Sequence, residues 1–216
     1  MSVLIAVEGL DGAGKNTLVR GVVDHLRTSG VGVATFTFPR YSRSLPADIA
    51  AEALHGAHGD LRDSVYAMAL LFALDRAQAA DEVRAAARTS EIVICDRYVA
   101  SNVAYSAARL DQRSDGEVAR WIADLEFGRL GLPVPDRQVL LGVPADVAMS
   151  RARSRASVDP GRSRDAYERD DALQRRVDAA YRELAASAWM SPWVCVGDDA
   201  ANTPTPVQLA EILLAG

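Results

Sequence analysis

Gly9-Leu10-Asp11-Gly12-Ala13-Gly14-Lys15 puts three glycines and a lysine within seven residues, after the apolar run Val3–Glu8 and before a helical spacing of apolar residues. In that order of strand, loop and helix, successive backbone N–H groups converge on phosphate oxygens and the helix N-terminus adds partial positive charge. The lysine can then reach the outer phosphates of a nucleoside triphosphate. Of the 24 basic residues, Lys15 is the one lysine and 23 are arginine, so this position requires a compact ammonium on a flexible stem. Gly9, Gly12, Ala13, Gly14, Lys15, Asn16 and Thr17 are therefore the candidate triphosphate-binding residues. Asn16 stands where such loops carry the Ser or Thr that ligates Mg²⁺, and Thr17 comes one residue late. An amide oxygen does not reproduce a hydroxyl's geometry, so the carboxylates of Asp11 and Glu168 are expected to hold more of the metal.

Four further segments can bind a second substrate: Phe38-Pro39-Arg40-Tyr41, the pair Phe72 and Arg76, Asp96-Arg97-Tyr98, and Asn102 with Tyr105. Taken alone, Phe72 reads equally as a core aromatic, Arg76 as a solvated helix charge and Phe38-Pro39 as a strand terminator. Asp96 and Arg97 carry more weight, because charged residues directly after a buried parallel strand lie where α/β folds bind ligands. Arg151, Arg153, Arg155, Arg162 and Arg164 form a basic stretch suited to a transferring phosphoryl group. Residues two apart on a helix point about 200° apart, so Arg151 and Arg155 share a face that Arg153 does not.

These residues need a scaffold, and its elements follow from periodicity. Val3–Glu8, Val31–Phe38, Ile92–Cys95, Gln138–Val143 and Trp193–Val196 read as strands, and Gly14–Ser29, Ser64–Arg88 and Ala166–Trp189 as helices. Strands alternating with helices predict an α/β fold, a five-stranded parallel sheet flanked by helices. At 216 residues the chain is expected to form one domain, 1–216, with an arginine-rich lid near 151–164 whose tip is Pro160-Gly161. A composition of 49% hydrophobic and 25% charged residues is that of a globular chain, without an apolar run of bilayer length. The N-terminus lacks signal-peptide features, so the cytoplasm is the expected compartment. A net charge of −5 and a pI near 5.2 argue against a nucleic-acid surface. Cys95 and Cys195 sit in apolar runs and are expected to be buried, reduced thiols.

The phosphate loop with its acid, the Phe-Pro-Arg segment, the helical Phe/Arg pair and the Asp-Arg-Tyr box together resemble the thymidylate kinase family, bacterial type with lid arginines, over nearly the whole chain. The resemblance implies a P-loop kinase fold, a nucleoside monophosphate kinase domain and transfer from ATP, with Mg²⁺, to dTMP, giving dTDP for dTTP synthesis. It implies that Phe72 stacks on thymine, that Arg76 and Asn102 bond its polar edge, and that Arg97 and Arg40 hold the acceptor phosphate. Phe38, Pro39 and Tyr41 would line the acceptor site. Asp11 would lie by the ribose 3′-hydroxyl, Tyr105 where a 2′-hydroxyl would intrude, and Asp165, Tyr167 and Glu168 would close the nucleotide side. Members with glycine at the place of Gly12 use lid arginines, which selects Arg155; Asp11, Lys15, Arg97 and Arg155 are the candidate catalytic set. A homodimer through helices is implied as well. The acceptor phosphate is already ionised near neutral pH, so Asp11 reads as a positioner rather than a base. Two alternatives stand beside this reading: a deoxynucleoside kinase with Glu8 as the base for a sugar hydroxyl, and a nucleotide-binding switch module.

Overall fold

A computed structural model describes residues 2–158, 164–197 and 204–214. Five strands, β1 (Val3–Glu8), β2 (Val33–Thr37), β3 (Ile92–Asp96), β4 (Arg137–Leu141) and β5 (Trp193–Val196), form one sheet in the order β2-β3-β1-β4-β5. Every pairing is parallel, with Val7 opposite Asp96 and Glu8 opposite Leu140. From β1 the chain crosses outward to β2, and from β3 it returns past β1 to β4. Connections thus leave neighbouring strands β1 and β3 in opposite directions, which opens a crevice at their C-terminal ends.

Alternation along β1 divides the core. Ile5 and Val7 pack with Ile94, Val139 and Leu141 on one face of the sheet. Leu4 and Ala6 pack with Val93, Cys95 and Leu140 on the other. Both faces of β1 are covered, which is why it reads as a continuous apolar run. The first face carries α1 (Lys15–Thr28), on which α9 (Pro206–Leu214) packs. A Cβ added at Gly21 of α1 would meet Pro206 Cγ at 2.6 Å, so this glycine lets the two helices touch. The second face carries α2 (Leu45–Leu54), α3 (Val65–Thr89), α4 (Val99–Leu110), α5 (Glu117–Ala123) and α8 (Asp171–Ala186). A 3-10 turn at Leu61–Asp63 precedes α3, and a π turn at Asp124–Arg129 continues α5. Helix α6 (Ala145–Val158) follows β4, and the short α7 (Ala166–Arg169) precedes α8.

Several expectations need correction. The single helix expected over Ala166–Trp189 is two, because Asp165 accepts from Glu168 N at 2.8 Å and Asp170 from Leu173 N at 2.9 Å. Each aspartate caps a separate helix start. Cys95 is buried, and burial pushes its thiol far up, whereas Cys195 is exposed because β5 is an edge strand. The expected lid tip Pro160-Gly161 and Arg162 lie outside the described residues. No helix among the described residues is long and apolar enough to cross a membrane.

Candidate active site

The loop after β1 can only be built with glycine. Gly12 has φ 86°, and a Cβ there would lie 2.1 Å from the carbonyl oxygen of Ala148 on α6. Backbone meets backbone, so no side chain could turn aside. Helix α1 begins at Lys15 with Gly14 as its N-cap and no side-chain cap, which leaves the first N–H groups facing the cleft. Lys15 is buried, and its Nζ donates to the carbonyls of Gly9 and Leu10, each at 2.9 Å. Burial and the neighbouring Arg97 lower its pKa to about 8, against the pull of Asp11, Asp96 and Glu8. The side chains of Asn16 and Thr17 are exposed where α1 lines the cleft.

The loop after β3 supplies the counterpart. Arg97 adopts φ 65°, a left-handed conformation costly for a side-chain-bearing residue and typical of functional sites. Its Nη2 lies 2.9 Å from Asp11 Oδ1, and its Nη1 donates to Ser101 Oγ at 3.2 Å and Tyr181 Oη at 3.1 Å. Burial acts against ionisation of Asp11, but Arg97 and Lys15 together hold its carboxyl far below the usual range. Tyr105 donates to Asp11 Oδ2 at 3.3 Å and lies nearly parallel to Tyr167. Beneath them Glu8 is fully buried, accepting from Tyr98 N at 2.8 Å, Ser101 Oγ at 2.5 Å and Tyr181 Oη at 3.2 Å. Burial raises its pKa, and it lines neither cavity described below, so it braces the Arg97 turn and is placed to deprotonate no sugar hydroxyl.

Two cavities meet here. A cleft of about 1300 Å³ runs along the phosphate loop to Val143, Pro144, Val147 and Pro204. A slot of about 90 Å³ penetrates between α3 and α4, lined by Phe72, Arg76, Asn102 and Tyr105. Asp11, Phe38, Pro39, Tyr41, Arg97, Asp165 and Glu168 border both. The structure thus gathers almost every residue singled out in the sequence. Among the residues expected at the acceptor site, Arg40 is the exception. Its Nε bonds Asp75 Oδ1 at 2.9 Å and its Nη2 the Asp75 carbonyl at 2.8 Å, and it borders neither cavity. Instead of facing a phosphate it ties the Phe38-Pro39 turn to α3, one residue from Arg76.

Arg151 and Arg155 both border the large cleft, while Arg153 turns away to an ion pair with Asp171. The helical spacing makes this division. Sequence reasoning missed Glu126, Ser101, Tyr181 and Arg109. Arg109 lies over the Tyr167 ring and bonds its hydroxyl and the Arg62 carbonyl. No local motif marks these four; a helical surface charge and a tyrosine are common everywhere.

Glu168 is half-buried, and burial, Asp11 and Asp165 push its pKa up to about 7 against the pull of Arg97 and Arg155. Its ordinary value is 4.5. Between the two values the folded chain holds a proton that the unfolded chain has released, so the contribution of Glu168 to stability falls as pH rises through that window. Discounted for partial exposure, the effect is about 1 kcal/mol. Glu168→Gln is expected to raise the Tm by about 2–4 °C at pH 8 and to leave it unchanged at pH 4. Thermal melts at the two pH values check this, and an equal shift at both would exclude the electrostatic cause.

Comparison with known proteins yields consistent matches. The family model described as Thymidylate kinase matches residues 7–196. The thymidylate kinase of Mycobacterium tuberculosis (strain ATCC 25618 / H37Rv) is 59% identical over 196 residues, 91% of this chain and 92% of that protein. The thymidylate kinase of Bifidobacterium longum is 34% identical over 185 residues, 85% of this chain and 84% of that one. The probable thymidylate kinase of Archaeoglobus fulgidus is 32% identical over 184 residues, covering 84% and 82%.

Proposed function

The chain belongs to the thymidylate kinase family, and from that premise we propose that it moves the γ-phosphoryl group of ATP onto dTMP, yielding dTDP toward dTTP synthesis. The observation that carries this reading is the junction of the two cavities at Asp11 and Arg97, where a donor phosphate in the cleft and an acceptor phosphate above the slot would meet in line. ATP lies along the cleft, with its phosphates on the amides of Gly9–Thr17 and its base toward Val143, Pro144 and Val147. Lys15 exchanges two backbone carbonyls for phosphate oxygens. In the slot, thymine stacks on Phe72 with its polar edge toward Arg76 and Asn102. Tyr105, held by Asp11, fills the space a ribose 2′-hydroxyl would need. Arg97 binds the acceptor phosphate together with Arg155, a role that Arg40 does not share.

Charge neutralisation and alignment supply most of the rate in phosphoryl transfer. Asp11 and Glu168 border the same cleft as the phosphate loop, and the negative charge of Asp11 adds to burial in raising the Glu168 pKa. Two carboxylates beside phosphate oxygens fit Mg²⁺, which is commonly held by one or two carboxylates plus substrate phosphates. When bound, the ion neutralises charge on the transferring group. Asn16 offers an amide oxygen to the same space. The arginine-bearing segment 151–164 acts as the lid of a single domain, 1–216. The stripe Tyr66, Leu70 and Leu74 on α3, exposed at successive helical turns, supports a homodimer through helices. With nucleotides as substrates, the enzyme works in the cytoplasm.

The test is ADP release with ATP and Mg²⁺ across dTMP, dUMP, dCMP and thymidine. We expect dTMP to lead, dUMP to fall behind by about 10–200-fold for its missing methyl, and dCMP by about 10⁴-fold for its mismatched polar edge. Thymidine should not turn over. Turnover of thymidine without dTMP would move the assignment to a nucleoside kinase.

A further inference from the structure

Two side chains face the base slot with their hydrogen-bonding capacity already partly committed, and one buried carboxylate commits both. Glu126 is fully buried on the π turn. Its Oε2 accepts from Arg76 Nε at 2.5 Å, and its Oε1 accepts from Arg76 Nη2 at 2.7 Å and from Asn102 Nδ2 at 2.8 Å. Asn102 Nδ2 gives its second proton to the Ala69 carbonyl at 2.9 Å. Both partners of that nitrogen are pure acceptors, so the amide cannot be turned over without setting oxygen against oxygen. The consequence for the slot is a fixed code. Asn102 must present Oδ1, an acceptor, and Arg76, with its Nε proton and one of its two Nη2 protons spent, presents Nη1, a donor. Neither atom is sealed off without a partner among the described residues, and both side chains border the slot.

An acceptor beside a donor matches the N3–H and O4 of a thymine or uracil ring. Cytosine offers the reverse, an unprotonated N3 and an amino group, and would meet acceptor with donor wrongly paired at both atoms. A wrongly paired buried group costs far more than a missing methyl. The π turn is the backbone device that makes this possible. Its wider i→i+5 bonding, seen in Leu130 N to Leu125 O at 2.9 Å, interrupts the helical course of α5 where Glu126 turns inward. Such turns concentrate at functional sites.

We propose that Glu126 is the positioning residue that sets the enzyme's choice between thymine and cytosine, by locking the amide of Asn102 and the fork of Arg76 in one hydrogen-bonding polarity. The proposal rests on the slot being the site of the acceptor base. In Glu126→Gln, one of the two oxygens becomes an NH₂ group. If it faces Arg76 Nε, donor opposes donor; if it takes the shared position, it opposes both Arg76 Nη2 and Asn102 Nδ2 and leaves the Ala69 carbonyl alone to hold the amide against a flip that would show Nδ2 to the base, the polarity cytosine needs at N3. Glu126→Asp keeps the charge that Arg76 requires but withdraws it by one methylene from Asn102.

The experiment measures kcat/KM for dTMP and dCMP, KM for ATP, and Tm, in the parent and both variants. The expected parent preference for dTMP is about 10⁴-fold. Glu126→Gln should reduce that preference by about 30-fold or more, by losing dTMP binding and gaining dCMP turnover, while KM for ATP stays within about twofold. Glu126→Asp should reduce it by about 3–10-fold, and it decides the matter if the Gln variant does not fold. A merely structural role would lower activity on both acceptors alike. A folded variant that keeps the parent's ratio overturns the proposal. A parent that does not phosphorylate dTMP overturns instead the reading of the slot beneath it.

Discussion

Arg97→Ala is expected to lower kcat/KM for dTMP by about 10³–10⁴-fold, most of it in kcat. The guanidinium stands at the junction of the two cavities and is, among the described residues, the cation closest to Asp11, at 2.9 Å. Two contributions vanish with it. A charge-assisted contact to an acceptor phosphate is worth about 1.5–3 kcal/mol, and a preorganised donor aimed at charge developing in the transition state about 2.7–4 kcal/mol. Together they correspond to about three to four decades of rate, allowing for overlap between them. The left-handed backbone at Arg97, braced by Glu8 through Tyr98 N, Ser101 and Tyr181, holds the side chain in place before substrate arrives. Its loss also frees Asp11, whose carboxyl Arg97 holds down, so the acid limb of the rate profile should move to higher pH. Arg97→Lys restores charge without the fork and should recover no more than about tenfold. Steady-state kinetics from pH 5 to 9 with a Tm for each variant provide the check. A kcat for Arg97→Ala within tenfold of the parent would remove this arginine from the transition state.

That argument depends on a turn the sequence already marked, and the reason it could be read is local. Strand, glycine loop and helix are contiguous, so Gly9–Lys15 carries its whole context within a few residues. Asp96-Arg97-Tyr98 directly follows a run of buried β-branched residues for the same reason. What could not be read is pairing at a distance. Arg40 has the right type and a plausible place for a phosphate, yet Asp75 claims it, and 35 residues separate the two. Glu126 lies 50 residues from Arg76 in a stretch assigned no element from the sequence, and it sits on the π turn, fully buried. The break at Asp170 was misread because Ala166–Trp189 keeps an apolar period across both helices, while the two capping aspartates look like surface acids. Cys195 shows the limit of apolar runs as burial signals: an edge strand of the same composition as a central one has a face without cover.

The lid arginines extend the same lesson to catalysis, because there helical geometry alone separates two neighbours of identical chemistry. Arg151 and Arg155 border the cleft on one face of α6, and Arg153 leaves it for Asp171. Gly12 has no side chain to offer to the phosphates, and the closeness of the Ala148 carbonyl forbids one, so positive charge at that point must come from across the cleft. The closeness that excludes a side chain at Gly12 also brings α6, and with it Arg155, up to the loop. Arg155→Ala is therefore expected to lower kcat by about 10³-fold or more, within the 10³–10⁵ range of arginines that act on a transferring phosphoryl group, with KM for dTMP changed far less. Arg153→Ala should keep kcat within about threefold, since an exposed ion pair contributes at most about 1 kcal/mol and none of it is exerted on the phosphates. Single-turnover measurements with both nucleotides saturating separate the chemical step from product release. A large loss in Arg153→Ala, or a normal chemical step in Arg155→Ala, would mean that the charge on the transferring group comes from another residue of the segment.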